Sequence, residues 1–360
     1  MALMVLSVSF YSCGAAARGK LEGARQAADN DAPQSKAGQV ATAEPQQIAP
    51  TDPKKFALVV AGVGGEDAYK KRFGAEALSL YDSLTRKLGF EEKHVWLLTE
   101  DGGEGPENGP RINYGRSTAD EVRSAFSAIK SKVGADSLVL IVLVGHGSFD
   151  GRQAKFNLVG PDLTAEDYAA LIGSMNGARV VFVNCASSSG EFIKPLSAEN
   201  RIVITATRSG NEQNATVFAD KLVAGLGDFA ADTDKNGRLS VAEVFSYASK
   251  LTADWYKDQD RLATEHALLD DNGDGTGHEQ PTAGDGVLAK TTFLDSRQIE
   301  EAAGDPETAR LLAERQRLEE AIEKLKARKA EMKPEEYESE LERLLLELAK
   351  TNQTIKARQK

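Results

Sequence analysis

Two strongly apolar runs, each closing on a residue with reactive chemistry, constrain this chain more than any other feature. The first, Ser137-Leu-Val-Leu-Ile-Val-Leu-Val144, leads into Gly145-His146-Gly147. The second, Arg179-Val-Val-Phe-Val183, leads into Asn184-Cys185-Ala-Ser-Ser-Ser-Gly190. Short β-branched runs without polar alternation suit strands buried on both faces, as in a parallel sheet covered by helices. Ligands of such sheets bind beyond the carboxyl ends of the strands. His146 and Cys185 both fall at such ends, where a thiol nucleophile and its proton partner can face each other.

A single Cys is most often a small core hydrophobe, and a single His beside glycines is most often a turn residue. The pair weighs more than either. The chain holds two Cys and four His, and one of each lands at a strand end within Gly- and Ser-rich loops. Small residues there let a substrate backbone approach closely. The pattern points to a cysteine hydrolase.

The flanking segments fit the same sheet. Phe56–Val63 and Val95–Thr99 read as further strands, and Arg201–Thr207 as the strand after Cys185. A helix is expected from Tyr69 to Leu88, with Ala77, Leu80, Tyr81, Leu84 and Leu88 at helical spacing. Capping-box spacing at Thr118–Glu121 starts another through Val122, Phe126 and Ile129, and one more follows Thr164–Asp167. Asp101–Arg116, loaded with Gly, Pro and Asn, reads as a long loop walling the strand ends. Strand–helix alternation gives a doubly wound, mostly parallel α/β sheet.

An apolar strand entering His-Gly, then one entering Cys with small residues after it, resembles the caspase–haemoglobinase superfamily of cysteine peptidases, nearest the legumain family. Phe56–Gly62 is similar to that family's first strand, and Tyr69-Lys-Lys-Arg72 with Ala75 to its first helix entry. The likeness spans about residues 54–226. It implies a Cys185 thiolate nucleophile, His146 as acid and base, and an oxyanion site made by the backbone N–H groups of Gly147 and Cys185. It also places Arg72 in the first specificity pocket. Phe73 stands where legumains carry His, Val183 where they carry an acidic residue, and Gly64 where they carry an asparagine beside the histidine. The resemblance therefore implies peptide cleavage, and not cleavage after Asn in particular.

Net charge −11 and pI near 5.1 argue against nucleic acid as a partner. Residues 1–19 read as an export signal, with Ser12-Cys13-Gly14 similar to a lipoprotein site; lipidation at Cys13 and ordinary cleavage both remain open. Either places the protein in the periplasm or at the cell surface. Residues 20–55, rich in Ala, Gln, Pro and Asp, lack the apolar content to order themselves and read as a tether. The peptidase-like domain is then 56–300.

Within it, Asp232-Thr-Asp-Lys-Asn-Gly-Arg-Leu-Ser-Val-Ala-Glu243 fits a twelve-residue calcium loop. Asp232, Asp234 and Asn236 offer oxygens, Gly237 permits the turn, Arg238 offers its carbonyl, Ser240 holds position nine, and Glu243 closes the site. The bland alternative is an acidic turn with a helix cap. A second loop, Asp270-Asp-Asn-Gly-Asp-Gly275, aligns Asp270, Asn272 and Asp274 but has Pro281 at position twelve. It binds weakly, borrows ligands or merely turns. His266 and His278 beside it make no zinc pattern.

Residues 305–360 change character, dense in Glu, Lys, Arg, Leu and Ala. Leu311, Arg315, Leu318, Ile322, Leu325, Lys329 and Met332 repeat at 4-3 spacing; after Pro334, Tyr337, Leu341, Leu344, Leu348, Thr351 and Ile355 repeat it. Two helices in a hairpin are expected, either a docking or oligomerisation arm or a structural appendage. Three functional readings follow: a cysteine endopeptidase, a catalytically silent calcium-stabilised scaffold, and a legumain-like transpeptidase.

Overall fold

The computed structural model describes residues 49–102, 113–173, 175–227, 230–280, 285–302 and 304–358. The expected signal, Cys13 and most of the tether lie outside them, as does Pro281. The central sheet uses β1 (Lys55–Ala61), β2 (Val95–Thr99), β3 (Tyr114–Arg116), β4 (Leu138–Val144), β8 (Arg179–Asn184), β9 (Arg201–Thr205) and β10 (Leu268–Asp270). Its order is β10-β9-β8-β4-β1-β2-β3, parallel throughout except for β10 against β9. A small antiparallel sheet of β5 (Gly147–Phe149), β6 (Ala154–Phe156) and β7 (Leu163–Thr164) follows His146.

Both sheet faces are apolar, which explains the unalternated runs. On one face Leu58, Val60, Ile141, Leu143 and Phe182 pack with α2 (Ala119–Lys130) and α3 (Ala165–Ile172) through Val122, Phe126 and Tyr168. On the other, Val59, Val142 and Val144 meet Phe73, Ala77 and Leu80 of α1 (Asp67–Asp82). That face is completed by Phe218 and Leu222 of α5 (Phe218–Gly227) and Phe245 of α6 (Val241–Asp258), with the short α4 (Ile193–Leu196) on the opposite side. Each fully buried large apolar side chain contributes about 1.5–3 kcal/mol.

Local signals mostly set the helix starts. Thr164 and Asp167 form a reciprocal capping box, whereas Thr118 caps Glu121 N–H without the return bond. The helix expected to reach Leu88 stops at Asp82 and widens into a π-turn over Ser83–Lys87. The loop expected at Asp101–Arg116 ends in β3, whose pairing with β2 no local periodicity announces.

After α7 (Val287–Thr291) and α8 (Arg297–Ala302), α9 (Pro306–Ala327) and α10 (Pro334–Arg358) pack against each other. Leu318, Ile322, Leu325 and Leu344 form their seam. Leu312, rather than Leu311, is the buried partner of Ile355 and Ala302. Arg315 leaves the seam to pair with Glu301 at 3.0 Å, and Arg179 meets Glu320 at 3.6 Å. The two helices thus dock on the α/β unit through α7 and α8. No helix among the described residues is long and apolar enough to cross a membrane.

Candidate active site

β1 leads to β2 and β3 on one side and β4 lies on its other side, so the strand order reverses at the β1–β4 border. At such a border the strand-end loops diverge and leave a crevice. His146 follows β4 there, and Cys185 follows the neighbouring β8. Leu143 is in register with Asn184, and Cys185 N–H donates to Leu143 O at 2.8 Å. The two loops are stitched further along: Gly147 N–H donates to Ser187 Oγ at 3.1 Å, and that hydroxyl donates back to Gly147 O at 3.0 Å. A Cβ on Gly147 would lie 2.3 Å from Ser187 O, so only glycine permits this approach.

His146 sits half-buried against two rings, edge-on to Tyr69 at 4.6 Å and Phe73 at 5.0 Å between centroids. Burial holds its pKa below the usual imidazole value, and the nearby Arg72 charge acts the same way. A backbone hydrogen bond with Gly64 opposes both. The residue standing where the resemblance expects asparagine thus engages the histidine through its main chain.

Cys185 is 1% exposed and belongs to the core cluster on the α1–α5 face. Burial, followed by the nearby carboxylates of Glu76 and Glu265, raises its thiol well above the ordinary range. Its carbonyl accepts from Thr216 Oγ1, and Thr216 O in turn accepts from Arg72 Nη2 at 3.0 Å. In this arrangement the two N–H groups that the resemblance assigns to the oxyanion site both have partners. Gly147 and Cys185 N–H are both already bonded, to Ser187 Oγ and Leu143 O. Strand pairing holds the Cys185 donor, and the cross-loop hydroxyl holds that of Gly147.

Two groups escaped the sequence reading. Glu76, one turn after Arg72, lies 3.6 Å from its guanidinium, with Oε2 buried and unpartnered; burial pushes its pKa up to about 7. Glu265 is buried, accepting from Val217 N–H at 2.8 Å, Phe218 N–H at 3.2 Å and Tyr256 hydroxyl at 3.1 Å. Only helical spacing from Arg72 hints at the first; nothing local marks the second. Arg72 and Glu76 also line a cleft of about 330 Å³ with Val217, Asp220, Lys221 and Trp255.

Away from this crevice, carboxylate oxygens of Asp232, Asp234 and Glu243 lie within 4.8 Å of one another. Asp232 accepts from Asn236 N–H at 3.1 Å and Gly237 N–H at 2.9 Å, with Gly237 at φ +77°. Ser240 and Glu243 form the capping box of α6. Arg238 is buried across Phe293, its charge beside Asp295. Leu239 N–H donates to Asp295 Oδ2, and Leu239 O accepts from Leu294 N–H, both at 2.8 Å.

No family model and no curated protein matches the chain. Among solved structures, Spodoptera frugiperda caspase-1 aligns with TM-score 0.40 and 12% identity over 64% of this chain and 92% of its own. A Geobacter sulfurreducens protein from a structural-genomics programme aligns with TM-score 0.39 and 12% identity, covering 61% of this chain and 93% of its own. At these scores neither likeness bears on function.

Proposed function

We propose that the chain is a cysteine peptidase, related to the legumain-like branch that its motifs resemble, with its site closed in this structure. The observation that carries the reading is the placement of His146 and Cys185 at the carboxyl ends of adjacent parallel strands, beside the reversal of strand order. Burial disfavours thiolate and imidazolium alike.

Catalysis begins when substrate displaces the Ser187–Gly147 contact and the Cys185 loop opens. His146 takes the thiol proton, and the sulfur attacks the scissile carbonyl. Gly147 N–H, freed from Ser187, donates to the developing oxyanion. His146 returns the proton to the leaving amine as the tetrahedral adduct collapses to a thioester. Water, deprotonated by His146, then releases the acid and restores the thiol. Arg72, tied through Thr216 to the Cys185 carbonyl, orients the residue preceding the scissile bond. An amine replacing water in the last step gives transpeptidation by the same groups.

Calcium in the Asp232–Glu243 loop stabilises the fold in this reading and takes no part in acyl transfer. That loop is tied to Leu294 and Asp295, so the ion steadies the junction leading to the C-terminal helices.

A second reading, a catalytically silent scaffold, is favoured by the depth of Cys185 and the engagement of Gly147 N–H. A thiol-directed peptidyl probe, applied with and without calcium, separates the two. The peptidase labels at Cys185, loses labelling and hydrolysis in Cys185→Ala, and loses roughly a hundredfold or more in turnover in His146→Ala. A folded wild-type chain that neither labels nor cleaves in either condition is the scaffold.

A further inference from the structure

The second acidic loop holds an observation that the peptidase reading does not use. β10 ends at Asp270, which is in register with Val203 of β9 and is 1% exposed. Its carboxylate turns into the loop, where Oδ1 accepts from Gly273 N–H at 3.2 Å. Oδ2 is buried and no donor among the described residues meets hydrogen-bond geometry with it, while the Ser197 hydroxyl is the side chain that interacts with this carboxylate. A buried carboxylate oxygen without a partner is costly unless a cation or a proton meets it.

The neighbouring carboxylates are committed elsewhere. Asp271 accepts from Gly286 N–H at 2.7 Å and Ala289 N–H at 2.8 Å, capping α7. Asp285 accepts from Asp271 N–H and pairs with His278 Nδ1. Asp270 instead faces its own loop. Asn272 Oδ1 accepts from Asp274 N–H at 2.8 Å, and Asp274 Oδ1 accepts from Thr276 N–H at 2.7 Å, so alternate side chains curl to one side. Ser197, from the segment between α4 and β9, reaches in from outside, its Oγ accepting from Gly275 N–H at 2.9 Å.

We propose that the Asp270–Thr276 loop is a second divalent-cation site, distinct from the Asp232–Glu243 loop, with Asp270 Oδ2 as its buried ligand and Ser197 Oγ supplying an oxygen that the loop's own twelfth position lacks. Asp274 and Asn272 complete the side-chain set, and the Thr276 carbonyl stands at the seventh position. Two carboxylates and neutral oxygens suit calcium held in the weak class, Kd on the order of 10⁻⁴–10⁻³ M. The ion clamps the antiparallel edge strand β10 to the segment that precedes β9.

Calcium alone is the probe, measured by equilibrium dialysis on the full chain. With both loops occupied, wild type binds two ions and Asp234→Asn/Glu243→Gln binds one. Asp274→Ala, at an exposed position, lowers the wild-type count by one or weakens that site at least tenfold, and Asp270→Asn and Ser197→Ala act in the same direction. If the first loop does not bind, wild type and Asp234→Asn/Glu243→Gln both bind one ion, still lost in Asp274→Ala. The proposal is overturned if a folded Asp234→Asn/Glu243→Gln chain binds no calcium at millimolar concentration. It is equally overturned if Asp274→Ala leaves both count and affinity unchanged.

Discussion

Replacing Glu76 with Gln should make the protein more stable at alkaline pH while leaving it unchanged in acid. The Glu76 side chain is 10% exposed, and burial moves its pKa from 4.5 to about 7, against the pull of Arg72 and with the help of Asp220. The sign follows from linkage. Below pH 4.5 the carboxyl is protonated in folded and unfolded chains, and Glu76 costs nothing through ionisation. Between pH 4.5 and about 7 the unfolded chain ionises while the folded one does not, so stability falls with rising pH. Above about pH 7 the loss reaches its plateau, about 3 kcal/mol for a displacement of this size. Gln has the same shape, carries no charge and can still accept from Arg72. Thermal unfolding of both proteins from pH 4 to 9 should give curves that coincide in acid and separate through neutrality. The final gap is on the order of 5 °C in favour of Glu76→Gln. The same change removes a negative charge beside Cys185, so alkylation of that thiol above pH 7 should quicken, by roughly three- to fourfold for each pH unit by which its pKa falls, the gain in thiolate being partly offset by lower nucleophilicity. Parallel melting curves across the whole range would refute the buried-carboxylate reasoning.

Other expectations concern separate parts of the fold. Ser187→Ala frees Gly147 N–H from its hydroxyl partner and should raise the rate of peptidyl-probe labelling; an unchanged or lower rate in a folded protein means that contact does not hold the site closed. Glu243→Gln should abolish most of the calcium-dependent rise in melting temperature, about 2.7 kcal/mol of stabilisation at a hundred times Kd, and equal rises in variant and wild type would remove that loop from consideration. Ile322→Ala, in the seam between α9 and α10, should cost about 2–5 kcal/mol, read by chemical denaturation; a change under 0.5 kcal/mol would mean the seam contributes little.

Much of the architecture was legible because it is written in short-range pattern. Val139–Val144 and Val180–Val183 are apolar at every position, short and rich in β-branched residues, which suits a strand covered on both faces. Thr164 with Asp167, and Ser240 with Glu243, announce their helices through side chains that satisfy the first free N–H groups three residues on. The strand-end positions of His146 and Cys185 followed from the same runs. Tertiary structure decided the rest, since each remaining feature depends on residues far apart in the chain. β3 and β10 are too short to carry a period and exist through their partners, β2 and β9. Whether Gly147 N–H is free depends on Ser187, 40 residues away, and that hydroxyl occupies it. The state of Cys185 depends first on its burial and then on Glu76 and Glu265, groups that tertiary packing brings to it. A sequence can place a thiol at the end of a strand. The depth at which that thiol sits, and the charges around it, are set only when distant side chains pack.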